Sequence, residues 1–222
     1  MSISLIQQWN NGMSLIKRYR ALMCALALVV TSTSAAYAQE DALKGIPSGA
    51  YSVDLTHASV VWKVSHLGFS TYVGRFNEFT ADLNLNSDEF TKSSVDVDIV
   101  VDSIDTAYPY PEKEDFNQKL SKEWFKSEAH PSITFTSKSV SKLVDGKAVI
   151  IGDLTLLGNT HEVALDVTFN KATANHPFKK VPVIGFSAVT SIDRTAWGFS
   201  KYAPNIGASV DIEIEGEFLK LK

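Results

Sequence analysis

The chain has 222 residues, a formal net charge of −4 at neutral pH and a single cysteine. This length suits one domain with a sizeable core, and the acidic balance argues against nucleic acids and anionic membrane surfaces as partners. One cysteine excludes a disulfide within the chain, so the fold must depend on its hydrophobic core for stability.

The N-terminal residues have the pattern of a cleaved signal peptide. A basic stretch over residues 17–20 precedes an apolar run over residues 21–30, and Ala-Tyr-Ala at 36–38 matches an A-x-A cleavage site. The apolar run is shorter than the roughly 20 residues that a transmembrane helix needs. We therefore expect export through a cleaved signal peptide, whether translation starts at Met1 or at Met13.

Cleavage after residue 38 divides the chain into a signal peptide over 1–38, a linker over 39–49 and one domain over 50–222. The signal peptide takes away three basic residues, no acidic residue and Cys24, so the net charge of −4 becomes −7. Because the exported domain then lacks cysteine, we expect neither thiolate catalysis nor a cysteine metal site.

Most of the domain alternates between apolar and polar residues with a period of two, which predicts half-buried β-strands. Two alternating segments flank Gly158-Asn159, a hairpin-turn dipeptide. Phe76 is out of phase with Phe79, which indicates a bulge within one long strand. The predicted strands, the first two of them joined by a short link, cover residues 50–55, 59–66, 73–86, 94–101, 133–140, 147–156, 161–170, 183–192 and 208–219.

A helical pattern interrupts the strands in mid-chain. Phe116, Leu120 and Trp124 are spaced by four residues within 112–125, which predicts one helix with a single apolar stripe. Two interpretations stay open at this point. The helix either packs on the β-structure in the ordinary way or forms a lid over a pocket, for which Trp124 and Phe125 supply unusual aromatic area.

Eight or nine antiparallel strands with one helix predict an all-β fold, a small closed barrel. Closure removes exposed strand edges, and about eight strands enclose an interior that side chains fill or that holds one ligand. The predicted inward faces are aliphatic and aromatic and the outward faces are acidic. The interior is therefore the place to look for function.

The sequence lacks the common catalytic signatures. It has no G-x-S-x-G, H-E-x-x-H, P-loop or G-x-G-x-x-G motif. His57 and His66 flank one predicted strand and could meet at a barrel rim. There they would serve as polar caps, contact the polar headgroup of a ligand or, least favoured because no third ligand is evident, share a metal.

Several ordered motifs resemble the YceI-like family, from about residue 50 to residue 217. The matching segments are YSVD at 51–54 with His57, VSHLG at 64–68, VGRF at 73–76, VDSIDT at 101–106, Trp124-Phe125, PSITFTS at 131–137, GDLT at 152–155 with Gly158 and Thr160, and IDRTAWG at 192–198.

The resemblance implies a lipocalin-like antiparallel barrel of about eight strands, usually periplasmic. Such a barrel encloses an apolar tunnel that binds polyisoprenoid chains or similar lipids, including quinone tails, and it implies no catalysis and no cofactor other than the bound lipid. The chain departs from the family at two places that concern headgroup contacts. Residues 115–120 lack the histidine that many members carry in the mid-chain helix, and Ala208 stands where an acidic residue is common.

The inward phase of each predicted strand selects candidate ligand-binding residues for the lumen. We expect Trp124 and Phe125 to close one end, and His57, His66 or Arg194 to meet a polar headgroup. The candidate lumen residues are Trp62, Val64, Phe79, Leu83, Val97, Ile99, Phe135, Leu154, Leu165, Val167, Phe186, Val210 and Ile212.

Three hypotheses follow, in descending order. The first is a periplasmic carrier of a polyisoprenoid or quinone-like lipid, for transport, storage or stress response. The second is a secreted interaction or stress protein with a filled barrel and no ligand. The third is an enzyme acting on a lipid, for which the sequence offers only two histidines. Transient contact with the inner membrane or a membrane protein, and a homodimer through a barrel mouth near Trp197 or Phe199, are left open.

Overall fold

The computed structural model describes residues 43–222, so the predicted signal peptide lies outside the described residues. The described part contains ten strands. They are β1 (Gly49–His66), β2 (Ser70–Phe76), β3 (Phe79–Leu85), β4 (Ser94–Val100), β5 (Ile104–Asp105), β6 (Ser132–Val140), β7 (Lys147–Leu156), β8 (Asn159–Thr173), β9 (Val183–Asp193) and β10 (Ile206–Lys220).

One helical segment stands in mid-chain. The α-helix α1 (Phe116–Lys119) runs directly into a π-helical turn (Leu120–Trp124), and short 3₁₀ turns occupy Phe90–Lys92, Val101–Ser103 and Arg194–Trp197. Within residues 43–222, no helix has the length and apolar character needed to cross a bilayer.

The strands form one closed antiparallel barrel. β10 pairs with β9 on one side and with β1 on the other, which joins the two edges of the sheet. β2 and β3 pair with successive parts of β1 and together form one segment of the wall. β4 and β5 likewise form one segment, which pairs with β3 and β2. The ten strands therefore make eight segments of the barrel wall, which we call staves. The predicted all-β barrel of about eight strands with one helix is therefore confirmed.

The predicted bulge between Phe76 and Phe79 is the break between β2 and β3. Residues 77–78 lie outside both strands, and Phe76 and Phe79 are 5% and 7% exposed on the inner side of the wall. A break of two residues brings both rings inward, although strict alternation would place one of them outside.

The expected link between two strands at residues 56–58 was wrong, because β1 is continuous. Its register against β10 shifts between Val53 and Ala58, so a bulge absorbs the extra residues. Within the bulge Asp54 accepts hydrogen bonds from the backbone N–H and the hydroxyl of Thr56 at 3.1 and 2.6 Å. Polar residues that read as a turn in the sequence therefore project from an unbroken strand.

The hairpin between β7 and β8 turns one residue earlier than expected. Leu156 pairs with Asn159, so the two turn residues are Leu157 and Gly158, with φ angles of +52° and +75°. Two successive positive φ angles are typical of a type I′ turn, which usually selects small residues. Leu157 adopts this backbone while its side chain packs against the hydrophobic core.

The two ends of the barrel are built differently. We call the end where β1 begins the bottom and the end where β1 finishes the top. At the bottom Tyr51, Leu85 and Ile184 are at most 1% exposed, and Leu43 and Ile46 pack against the same cluster from the segment before β1. At the top the long connections over residues 101–131 and 194–205 cover the barrel instead.

Arg194 anchors one of these top connections. It is 5% exposed, and its Nε donates to the carbonyl of Gly207 at 2.8 Å, its Nη2 to those of Lys201 and Ile206 at 3.1 and 2.9 Å, and its Nη1 to that of Phe199. Burial lowers the pKa of the Arg194 guanidinium, which still carries its charge at neutral pH. One side chain therefore ties the connection to the start of β10 through four backbone carbonyls.

A glycine shapes the wall opposite Trp62. Trp62 in β1 pairs with Gly74 in β2, and a Cβ atom added to Gly74 would lie 2.1 Å from the Cζ2 atom of the Trp62 ring. The absence of a side chain at Gly74 thus leaves the space that the indole of Trp62 occupies. The ring centroid of Tyr72 lies 6.1 Å from that of Trp62 on the same side.

Replacement of Gly74 by alanine should destabilise the barrel by about 1–3 kcal/mol, because the added methyl group overpacks the wall against Trp62. Urea denaturation measures this change in the free energy of unfolding. Gly185→Ala is the matched control, since a Cβ there would meet no atom closer than 3.8 Å. Equal unfolding midpoints for the two variants would contradict the steric role of Gly74.

Arg194→Met should lower the free energy of unfolding by about 2–4 kcal/mol, because four backbone carbonyls lose the donors of a buried guanidinium. Arg194→Lys should recover only part of this loss, since one ammonium group cannot reproduce the fork of a guanidinium. Thermal and urea denaturation of both variants test the role of Arg194. A methionine variant with wild-type stability would show that the connection does not depend on these hydrogen bonds.

Candidate functional site

The barrel encloses one large cavity, which we call the lumen cavity. Its volume is about 760 Å³, within the range of pockets that hold small-molecule ligands. Its lining extends from Phe90 and Phe218 near the bottom to Leu67 and Tyr202 at the top. The cavity therefore runs along the barrel rather than lying at one end.

The wall of the lumen cavity comes from all eight staves and is mostly aliphatic and aromatic. Because side chains alternate across a strand, each stave sends every second residue inward. The structure places on this wall every residue that the sequence proposed for the lumen and its closed end: Trp62, Val64, Phe79, Leu83, Val97, Ile99, Trp124, Phe125, Phe135, Leu154, Leu165, Val167, Phe186, Val210 and Ile212. That these residues contact a lipid stays a prediction.

The helical segment covers the top of the lumen cavity. The helix begins at Phe116 rather than at residue 112, because the side chain of Asp115 caps it by accepting from the N–H of Gln118 at 2.9 Å. The π-helical turn follows, with the N–H of Phe125 donating to the carbonyl of Leu120 at 2.9 Å. Its wide turn brings Leu120 and Phe125 to the cavity together with Phe116.

Aromatic rings join the helical segment to the opposite connection. Trp124 lies 6.2 Å from Phe199 and 5.5 Å from Tyr202 between ring centroids, and Phe125 lies 4.8 Å from Phe199. These contacts cross the top of the barrel from one connection to the other. Both interpretations of the helix find support, because the apolar stripe packs on the hydrophobic core and also covers the top of the cavity.

The three residues proposed for headgroup contacts occupy different places. His66 lies at the top end of β1 and lines the lumen cavity. Arg194 also borders the cavity, but its guanidinium is engaged by four backbone carbonyls. His57 does not line the cavity. It is exposed in the bulge of β1, with Nδ1 3.3 Å from the carboxylate of Asp54.

The two histidines do not meet at a rim. Both belong to β1, and nine residues of extended strand separate them by roughly 25–30 Å. Asp54 instead pairs with Lys179 at 2.8 Å, and these contacts hold the pKa of its carboxyl well below the usual range. His57 thus belongs to a polar cluster outside the barrel, and the headgroup role proposed for it has no support from its position.

Trp197 is also placed differently from the expectation that it stands near an exposed mouth. Its side chain is 4% exposed, and its indole N–H donates to the carbonyl of Leu154 at 3.0 Å. A buried and hydrogen-bonded ring offers no surface to a second copy. Phe199 is half-buried beneath the aromatic contacts with Trp124 and Phe125.

Some lining residues were missed by the sequence reasoning. Tyr72 falls in phase with Gly74 and Phe76, so an earlier start for β2 would have found it. Tyr108 and Tyr202 lie in connections without periodicity, where no local signal separates an inward ring from an outward one.

The described residues hold no group of three His, Cys, Asp or Glu side chains positioned for a metal ion.

Comparison with known proteins supports this architecture. The chain is 29% identical to the UPF0312 protein SERP2314 of Staphylococcus epidermidis over 175 residues, which cover 76% of this chain and 96% of that protein. It is 28% identical to the UPF0312 protein VPA0850 of Vibrio parahaemolyticus over 177 residues, covering 77% and 90% of the two chains.

Solved structures share the fold. BcnA of Burkholderia cenocepacia matches with a TM-score of 0.64 and 23% identity over 74% of this chain and 98% of that one. The YCEI protein of Campylobacter jejuni gives a TM-score of 0.62 and 24% identity over 72% and 91%. A domain of Saccharophagus degradans, described as polyisoprenoid-binding and implicated in plant cell wall breakdown, gives 0.59 and 13% over 77% and 98%.

The family-level resemblance noted in the sequence is confirmed by a family model. The model of the YceI-like domain matches residues 51–218, from near the start of β1 to near the end of β10. The match spans all eight staves and the two connections that cover the top of the lumen cavity. The chain therefore belongs to the YceI-like family.

Proposed function

We propose that this protein is an exported binding protein that holds one long apolar lipid, a polyisoprenoid or a quinone tail, in its lumen cavity. The observation that carries the proposal is the cavity itself, about 760 Å³ bounded by apolar side chains along the length of the barrel. The export half of the proposal rests on the signal-peptide pattern over residues 1–38.

Burial of apolar surface is sufficient to drive such binding. Transfer of a lipid chain from water contributes about 25 cal/mol for each Å² of apolar surface buried, before the costs of ordering and immobilisation. A wall made mostly of apolar side chains can therefore retain an unreactive chain. The ligand class is proposed by analogy with the Saccharophagus degradans domain, because its fold is shared and its description names a polyisoprenoid.

The filled-barrel alternative is disfavoured by the same cavity. Protein interiors pack like organic crystals and contain few voids larger than a water molecule. A barrel whose lumen served only as a core would be filled by its inward side chains. Here an open cavity of about 760 Å³ remains inside the barrel.

The enzyme alternative lacks the arrangement that it requires. It needs titratable groups gathered on the cavity, and its two candidate histidines lie far apart, with His57 outside the barrel. Arg194 borders the cavity with its donors already engaged. A binding role for transport, storage or stress response uses the features that the site does possess.

Native mass spectrometry of the exported protein, followed by solvent extraction, tests the binding proposal directly. We expect a bound mass that extracts as an isoprenoid or a quinone. Protein purified without ligand should take up a polyprenol when the lipid is supplied in detergent micelles. A protein that is free of lipid on purification and takes up neither polyprenols nor quinones would overturn the proposal.

Val97→Trp should weaken lipid uptake, because the larger ring projects from β4 into the lumen cavity. Val189→Trp is the matched control, since Val189 lies on β9, is 48% exposed and does not line the cavity. Equilibrium binding of a polyprenol in micelles should fall at least about tenfold for the first variant and stay unchanged for the second. Equal binding by both variants would show that the ligand does not occupy the lumen.

A further inference from the structure

Four exposed apolar side chains stand together at the top of the barrel. Phe69 is 89% exposed, Tyr202 58%, Leu67 51% and Tyr110 50%. We call this set the top rim. Full exposure of a phenylalanine at the tip of a turn leaves apolar surface in water that burial would remove, so a partner surface would stabilise it.

The members of the top rim belong to one surface although they come from three connections. Leu67 and Phe69 occupy the turn between β1 and β2, and the N–H of Leu67 donates to the carbonyl of Asn205 at 2.8 Å. This hydrogen bond ties the turn to the connection that carries Tyr202. Tyr110 follows through a chain of ring contacts, since Tyr108 lies 6.2 Å from it and borders the helical segment.

The top rim is continuous with the lumen cavity. Leu67 and Tyr202 both line the cavity and are both more than half exposed to solvent. The bottom is packed more tightly, because Tyr51, Leu85 and Ile184 are at most 1% exposed and belong to one hydrophobic cluster. An apolar ligand that enters or leaves therefore passes the residues of the top rim.

Three of the lysines beside the top rim form ion pairs. The ammonium group of Lys113 lies 4.2 Å from the ring centroid of Tyr110, and that of Lys201 lies 4.8 Å from Trp124 and 3.6 Å from the carboxylate of Glu123. Nearby, ion pairs join Lys119 to Glu114 and Lys122 to Asp102. Pairing leaves little net charge for attraction to an anionic surface.

We propose that the top rim docks on the surface of an electrically neutral lipid bilayer and that Phe69 inserts into it during lipid exchange. This inference rests on the proposed lipid-binding function, since a bilayer is where so apolar a ligand resides. Exposed aromatic rings with lysine stems beside them suit the membrane–water interface, where rings lie at headgroup depth.

The test compares Phe69→Ser with Phe178→Ser in the exported protein. Phe178 is 86% exposed but lies at the bottom, in the connection between β8 and β9, so it provides a control of equal exposure. Co-flotation with phosphatidylcholine vesicles measures docking. We expect Phe69→Ser to bind vesicles about ten- to a hundredfold more weakly, Phe178→Ser to bind like the wild type, and added salt to have little effect.

A second measurement separates docking from ligand binding. Polyprenol uptake from vesicles should slow for Phe69→Ser, while equilibrium uptake from detergent micelles should stay unchanged. Vesicle binding that is equal for the wild type and Phe69→Ser, or lost equally in both variants, overturns the docking proposal. If the wild-type protein forms dimers through Phe69 and does not bind vesicles, the docking proposal is wrong and the partner of the top rim is a second copy of the chain.

Failure of the proposed function has a different signature. If the protein takes up no polyprenol from micelles, the lipid-binding proposal is wrong. Flotation with vesicles free of polyprenol still measures docking of the top rim in that case. Docking on such vesicles that depends on Phe69 and not on Phe178 supports the bilayer as the partner. Absence of docking on them overturns the inference.

Discussion

Hydrogen bonding between β1 and β10 closes the barrel, and the lumen cavity depends on this one pairing. The ladder extends from Tyr51 opposite Lys220 to His66 opposite Ile206, so the first and last staves meet along most of their length. Closure gives every stave one face that cannot reach water. Apolar residues therefore occupy the inward face of each stave. The volume that the eight staves enclose is larger than the volume of these side chains, so a cavity remains.

The difference between the two ends decides how such a closed barrel can exchange its contents. The bottom is packed by residues with almost no exposure, and opening it would expose a hydrophobic cluster together with the segment that carries Leu43 and Ile46. The top is covered by a short α-helix, one π-helical turn and a loop that Arg194 fixes at its base. Opening the top separates the rings of Trp124 and Phe125 from Phe199 without breaking a strand ladder.

Local patterns predicted the wall well and the connections poorly. The alternation of apolar and polar residues predicted β7 with its observed bounds. It also predicted that side chains such as Val97 and Ile212 point inward, because every second residue of a strand faces the same side. The bulge of β1 around His57 depends on the register against β10, more than 150 residues away. The role of Arg194 likewise depends on carbonyls that no local pattern connects to it.

Glycines determine the shape of the cavity as much as the apolar residues do. At Gly152 a Cβ atom would lie 2.4 Å from the ring of Phe135 and 2.6 Å from the carbonyl of Thr136, and Gly74 leaves similar space for Trp62. Rings that occupy the space beside a glycine supply apolar area at the wall without filling the centre, whereas side chains packed throughout the lumen would convert it into a core. Because the wall offers area and shape with few free polar groups, selection among lipids should follow the length and cross-section of the chain more than its headgroup.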